Sequence, residues 1–337
     1  MSVELEVRRS LDGLAEEWDA LVDQSPSPSP FLRSWWLDAA AEASPRFVVA
    51  FDGGSLVGGA AFTTDHRRAV RRYRLLGAAL APHNLDLLAA RGYESDVVDA
   101  VRGWLGRPGT RIVDLRGIGA TALLRRCSPQ QARVDRLDSA PYMKVPATFE
   151  EYLTSRNKKL RQEIRRVDRR LTEAGVRYRE VDLADTDRAL ETLERLHRAR
   201  WGRRSLFLGR FPAFAAAARV GAARGEVVFQ ELTAEGEVIS TLVTLELSDC
   251  CFFYQTGRDP AERWSNSGTM LRAKAVERSC RRGHRKIDLC IGDVAYKVRW
   301  ADDEQQVARI RWGQGVLGRI VLAGLAATGP VVDSSDR

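Results

Sequence analysis

The stretch from Tyr254 to Lys297 holds the densest set of residues able to do chemistry. Tyr254-Gln255-Thr256-Gly257 brings polar groups to the end of an apolar strand pattern. A loop from Arg258 to Trp264 follows, and Ser265-Asn266-Ser267-Gly268-Thr269 then opens a helical pattern. Small residues at a helix start leave backbone N–H groups free for phosphate oxygens. The helix dipole adds about 0.3–1 kcal/mol for an anion there. Ser267, Gly268 and Thr269 are therefore candidate phosphate ligands, and Arg263 can add a charge-assisted contact. The same residues also fit an ordinary serine-capped helix.

Asp288 stands in a strand pattern otherwise made of Ile287, Leu289 and Ile291. A carboxylate there is costly unless it is paired or wet. Gly292-Asp293 turns the chain toward Tyr296 and Lys297, so Asp288, Tyr296 and Lys297 can meet at one strand end. A purely structural Asp–Lys pair is the alternative. His197, in the run Leu196 to Arg204, can act as a general base or can simply cap or face solvent. The helix pattern over 155–170 carries Arg156, Lys158, Lys159, Arg161, Arg165, Arg166, Arg169 and Arg170. Most point away from the apolar seam Leu160, Ile164, Val167 and Leu171. They form either a solvated face or a docking surface for coenzyme A or tRNA.

The elements that must position these groups follow from periodicity. Val3–Val7 alternates as a strand. Ser10 can cap a helix whose apolar face is Leu11, Leu14, Trp18 and Leu21. A helix with Phe31, Trp35 and Trp36 comes next, then the strands 47–51 and 56–62 around Asp52-Gly53-Gly54, a hairpin signal. The proline-bounded strand 141–146 marks a domain junction. Beyond it the spacing predicts a helix over 149–174 with Gly175 after its end, a strand over 176–181, and helices over 185–200 and 212–223. A three-strand meander runs to Thr256, followed by a helix over 267–282 and a strand over 286–290. The order strand, helix, helix, hairpin, strand, helix, strand occurs twice, without residue-level similarity. The expected division is 1–140, 141–330 and a tail, 331–337.

Composition sets the outer bounds. The 337 residues are 44% hydrophobic, with 8 Trp and 11 Phe, which supports two globular domains. The start of the chain has no basic and apolar signal pattern, and no window reaches the ~20 apolar residues of a membrane span. A cytoplasmic protein without a transmembrane segment is expected. Its five cysteines form no CxxC pair, and with the 4 histidines they show no metal-ligand spacing, so no metal is expected. The net charge is +8, carried by 47 arginines and 6 lysines. That excess fits a phosphorylated cofactor as well as a nucleic acid.

Several stretches resemble the CelD-like acyltransferases, a branch of the GNAT superfamily related to the Fem-type aminoacyl transferases. They are Trp18-Asp19-Ala20-Leu21, Pro30 to Leu37, Ser155 to Arg161, His197 to Gly202, Tyr254 to Pro260, Ser267-Gly268, and Asp288-Leu289-Cys290-Ile291-Gly292-Asp293-Val294-Ala295-Tyr296-Lys297. The resemblance implies an α/β fold of tandem GNAT-like domains, each a mixed, mostly antiparallel sheet flanked by helices. It implies an acyl-CoA donor and an amine or hydroxyl acceptor of small-molecule or saccharide type. The phosphate-loop pattern Arg/Gln-x-x-Gly-x-Gly/Ala falls on Ser265 to Met270 and is kept only at Gly268. The implied reaction is direct acyl transfer, with Asp288 or His197 as base and Tyr254 or Tyr296 protonating the leaving thiolate. Lys297, Gln255 and Trp201 are expected to bind substrate. Two other readings stand beside this one: a Fem-type transferase using aminoacyl-tRNA, and a non-catalytic GNAT-like scaffold.

Overall fold

The computed structural model describes residues 3–41, 44–67, 69–80, 83–202, 205–292 and 295–327. The expected tail at 331–337 lies outside them, as do Arg203, Arg204, Asp293 and Val294.

In chain order, β1 (Glu4–Arg8), α1 (Ala15–Gln24), α2 (Ser34–Ala39), β2 (Pro45–Asp52), β3 (Ser55–Arg67), β4 (Val70–Leu75) and the short β5 (Leu88–Ala89) come first. Then follow α3 (Glu94–Leu105), β6 (Arg111–Gly119), β7 (Arg133–Lys144), α4 (Phe149–Ser155), α5 (Lys158–Glu173) and β8 (Arg177–Glu180). After these come α6 (Thr186–Trp201), α7 (Leu206–Ala223), β9 (Val227–Ala234), β10 (Glu237–Leu247) and β11 (Cys250–Arg258). The chain closes with α8 (Ser267–Arg281), β12 (Lys286–Asp288), α9 (Ala295–Trp300), β13 (Asp303–Gln314) and α10 (Gly315–Ala327).

Two compact units result. One is built from Met1–Ser139 with the segment returning from Gln305; the other is Ala140–Glu304. In the first, β1, β2, β3 and β4 pair antiparallel in sequence, β4 pairs parallel with β6, and β6 pairs antiparallel with β13. In the second, β8, β9, β10 and β11 pair antiparallel, β11 pairs parallel with β12, and β12 pairs antiparallel with the end of β7. Each unit is thus a mixed, mostly antiparallel sheet with helices packed on it, and the pairing order is the same in both.

The expected second domain runs to residue 330. Instead, β13 pairs with β6 from Val307 to Gln314, so residues 305–327 belong to the first unit. The single helix expected over 149–174 is two helices. Arg156 and Asn157 are extended, and the Asn157 side chain accepts the Leu160 N–H at 2.9 Å, which starts α5 afresh. Ser10 does not cap α1. Its hydroxyl donates to Asp12 at 2.6 Å, and the cap position is Leu14. The Asp52-Gly53-Gly54 turn does close the β2–β3 hairpin, with φ of +56° at Gly53 and +86° at Gly54. Positive φ at both turn residues matches the strand twist, and glycine takes it without a Cβ clash.

In the second unit Leu160, Ile164, Val167 and Leu171 bury the inner face of α5. They join Met270, Leu271, Ala275 and Val276 of α8 and Trp300 of α9 in one apolar core. At about 1.5–3 kcal/mol for each fully buried large side chain, this seam holds α5 against α8 and fixes the position where α8 begins.

Candidate functional site

The site starts from a strand that leaves its partner. β11 pairs with β12 only at Cys250–Phe252, while β11 itself runs on to Arg258. A bulge marks the departure: Thr244 opposes Phe253 and Val243 opposes Gln255, so Tyr254 has no opposite residue. A bulge bends a strand and increases its twist. The freed strand end and the start of α8 enclose a cavity of about 280 Å³.

Thr256, Gly257 and Arg258 form one wall. Ser265, Asn266, Gly268 and Thr269 form the floor, with Arg200 of α6, Arg272 of α8 and Tyr296 of α9 around it. Gly257 is required by close packing. A Cβ there would stand 2.8 Å from Leu196 Cβ and 3.2 Å from Thr241 Cγ2. Asn266 takes a left-handed conformation, φ +66°, which asparagine tolerates better than most residues. Its carbonyl accepts the N–H groups of Thr269 at 2.8 Å and Met270 at 3.3 Å. The N–H groups of Ser267 and Gly268, at the first two helical positions, have no backbone partner among the described residues. Arg170 of α5 steadies the approach by donating to the carbonyls of Ser265 and Arg263.

Three guanidiniums face this floor without a carboxylate. Among the described residues Arg200, Arg258 and Arg272 make no salt bridge, although most arginines around them do. Arg272 lies 4.3 Å from the Tyr296 ring centroid and 5.5 Å from that of Trp300, and its Nε is buried without a partner. Arg200 lies over Trp201 at 4.7 Å. Burial lowers the pKa of Arg200, and the charge of Arg258 lowers it further. Burial likewise lowers that of Arg272, with Arg200 among the further causes. Mutually repelling cations in a partly dry cavity are relieved by an anion.

The cavity gathers only part of the expected site. Gly268, Thr269 and Tyr296 line it. His197 stands one turn before Arg200 on α6, buried, with Ser205 Oγ 3.1 Å from its Nδ1 and the Gln255 side chain hydrogen-bonded to the ring. Burial, then the charge of Arg200, pushes its pKa down to about 4, so the imidazole is neutral at pH 7. Trp201 ends α6 as the ring beneath Arg200. Ser267 is fully buried at the helix start and is not part of the lining.

Four residues take roles other than those expected. The Lys297 ammonium donates to the carbonyls of Ile291 at 2.5 Å and Cys290 at 3.3 Å, which ties down the end of β12 and leaves a substrate acid little access. Asp288 is fully buried, accepts the Cys290 N–H at 2.9 Å and lies 3.3 Å from Lys286 Nζ, so it is paired away from the cavity. Arg263 is exposed, stacks on Trp264 and pairs with Glu235 at 3.2 Å instead of turning to the helix start. Tyr254, at the bulge, stacks on Phe214 at 5.3 Å, and burial raises its pKa. Sequence reasoning missed Arg200, Arg258 and Arg272 as a group. In a chain with 47 arginines the residue type carries no signal. The one available cue was that Arg272 follows Gly268 by four, one helical turn.

Among the described residues the first unit shows no counterpart of this floor. Its helix α3, which comes after β4 and the short β5, opens with Glu94 and Asp96. Their charges oppose a phosphate at that end.

Residues 158–298 match the acetyltransferase (GNAT) domain family. No curated protein matches the sequence. Among solved structures the chain is similar to FemX, at 9% identity and a TM-score of 0.66, over 96% of this chain and 99% of that one. It is also similar to the C-terminal domain of a protein described as a lysylphosphatidylglycerol synthetase from Agrobacterium fabrum, at 12% identity and a TM-score of 0.58, over 97% and 99%. A tandem GNAT protein from the clavulanic acid biosynthesis pathway aligns over 93% and 99% at 12% identity, with a TM-score of 0.50. The fold is therefore a tandem GNAT fold, and its second unit carries a GNAT-type N-acyltransferase domain.

Proposed function

We propose that the protein moves an acyl group from an acyl-CoA thioester to an amine or hydroxyl of a small-molecule or saccharide-type acceptor, as in the CelD-like branch of the superfamily. The arginine-lined cavity at the start of α8 carries this reading. The pyrophosphate of coenzyme A sits on the N–H group of Gly268 at the start of α8, and Arg200, Arg258 and Arg272 neutralise it. The thioester then lies along the freed end of β11, whose unpaired backbone N–H groups can polarise its carbonyl. The acceptor nitrogen or oxygen attacks that carbonyl directly, the C–S bond breaks, and Tyr296 gives its proton to the departing thiolate. The neutral His197 holds Gln255 toward the acceptor. With a pKa of about 4 it is a weak base, so the acceptor's proton leaves to bulk solvent through a water chain, and solvent returns a proton to Tyr296.

Coenzyme A titrated into the protein by calorimetry should bind saturably, and free thiol should appear from acetyl-CoA once an acceptor is supplied. No binding at millimolar coenzyme A sinks this reading.

One observation favours a second donor, aminoacyl-tRNA, as used by the Fem-type transferases. On α5, Lys158, Lys159, Arg166 and Arg169 are exposed and have no ion-pair partner among the described residues. A polyanion matches such a stripe. RNase-sensitive transfer, with affinity falling by a log–log slope of about 0.7–0.9 per phosphate contact, would assign that donor instead. A protein that binds neither donor is the non-catalytic scaffold.

A further inference from the structure

The first turns of α10 carry their large apolar groups outward. A core helix turns large apolar side chains inward. Here the buried position is Gly318, with Val321 and Leu322 half-buried beyond it. A Cβ at Gly318 would lie 2.5 Å from the carbonyl oxygen of Arg111, and one at Gly313 would lie 2.5 Å from the carbonyl oxygen of Gly318. Backbone thus lies directly on backbone where α10 meets β6 and β13. The large groups point out: Val316 is 70% exposed, Leu317 43% and Ile320 60%.

The border of this face is basic. Gly315–Ala327 contains no acid, and its one charge, Arg319, is exposed. The Cβ position of Gly315 is 3.3 Å from Thr110 Oγ1 and 3.4 Å from the Gly109 carbonyl, so the helix starts against the loop that holds Arg107. Arg111 follows that loop, in register with Arg71 of β4. Among the described residues Arg71, Arg107, Arg111 and Arg319 have no carboxylate partner, whereas the neighbouring Arg72 and Arg74 share Asp65. At 13 residues the helix reaches roughly 20 Å, too short for a ~30 Å hydrocarbon core, and among the described residues no helix is long and apolar enough to cross a membrane.

We propose that α10 docks the protein onto the surface of an anionic lipid bilayer. Val316, Leu317 and Ile320 enter the boundary between headgroups and acyl chains, and the four arginines meet lipid phosphates. An apolar wedge with a cationic border is what such a boundary accepts. A second copy of the chain fits less well. A two-fold contact through this face would bring the arginines of both copies to one seam.

The test is co-sedimentation of the full chain with phosphatidylcholine vesicles, with and without about 30 mol% phosphatidylglycerol. The expected result is binding to the anionic vesicles only, falling steeply between about 0.1 and about 0.5 M salt. The triple variant Val316→Ser, Leu317→Ser, Ile320→Ser keeps the charge and should bind at least about tenfold less. Replacing Arg107 and Arg319 by Gln should weaken binding about fivefold for each residue. Unchanged thermal unfolding confirms that these exposed positions do not alter the fold. Equal vesicle binding by the serine variant and the parent would overturn the proposal, because plain basicity would then account for it. So would a parent dimer in light scattering that the serine variant abolishes, which would make the face a self-interface.

Discussion

Replacing Gly268 by Ala separates the fold from the donor site, because the two should respond with opposite sign. The Cβ of alanine would meet Arg272 Nη1 at 3.5 Å and Nη2 at 3.9 Å, and nothing else within 4 Å. Those are ordinary contacts, so the methyl fits without moving the chain. Gly268 is also helical and has no positive φ. Alanine there should stabilise the fold by about 0.4–1 kcal/mol, through the entropy it removes from the unfolded chain. In a unit of this size that raises Tm by roughly 1–4 °C. The same methyl occupies the space between the Gly268 N–H and the Arg272 guanidinium, where a phosphate oxygen must sit. Losing one charge-assisted hydrogen bond costs about 1.5–3 kcal/mol, or roughly a 10- to 150-fold rise in Kd for coenzyme A. Differential scanning fluorimetry and calorimetric titration on the same preparation measure both numbers. A change in Kd below about twofold, with Tm raised, would mean that the anion does not sit on this helix start. A lowered Tm would refute the steric reading itself.

Other substitutions test neighbouring parts of the argument. Gly257→Ala should behave oppositely to Gly268→Ala: its Cβ would stand 2.8 Å from Leu196 Cβ, and such overpacking costs about 1–3 kcal/mol, read as a lower urea midpoint; a midpoint equal to the parent's would show that α6 yields there. Tyr296→Phe keeps the ring beside Arg272, so donor affinity should hold while kcat falls about 100-fold or more; an undiminished kcat in steady-state assays moves the proton to another group. His197 makes stability depend on pH. Its pKa is about 4 in the fold against 6.5 as the ordinary value, so the unfolded chain takes up its proton first as pH falls. The stabilising contribution of the neutral imidazole is complete above about 6.5 and is lost as pH drops through about 4. Urea unfolding at pH 7 and pH 5 should show a smaller difference for His197→Gln than for the parent; His284, shifted the same way by burial, remains in both, and equal differences would remove His197 as the cause.

Periodic features were legible in the sequence because burial has a period. The seam Leu160, Ile164, Val167 and Leu171 recurs at helical spacing and is buried. The meander β9–β10–β11 is legible for the same reason, with Glu235-Gly236 as its first turn. The break between α4 and α5 was not, since Arg156 and Asn157 are compatible with a helix in composition. There the Asn157 side chain accepts the Leu160 N–H and starts a new helix. The place of β13 was illegible for a different reason. Which strand it pairs with depends on residues almost two hundred positions earlier, as Arg311 opposite Asp114 illustrates. Lys297 misled because its spacing from Asp288 suggests a side-chain pair, while the contacts it makes are to backbone carbonyls. No residue type announces a carbonyl.

The two units put the weight of the functional argument on charge and not on fold. Both place a helix after the fourth strand of an antiparallel run, and both set that strand parallel to the next. If topology alone made a donor site, each unit would have one. In the first, α3 begins behind Tyr93 and carries Glu94 and Asp96 in its first turn. In the second, α8 begins at Asn266-Ser267-Gly268 with no acid in its first turn, and Arg258 and Arg272 flank it. A carboxylate near a helix N-terminus already takes up the favourable dipole, worth about 0.3–1 kcal/mol, and repels a phosphate. Three guanidiniums without a salt bridge among the described residues do the reverse, and an anion relieves their mutual repulsion. The loop pattern kept only at Gly268 is therefore compatible with an anion site after all. The side chains that supply its charge come from α6, β11 and α8, where a contiguous motif does not reach.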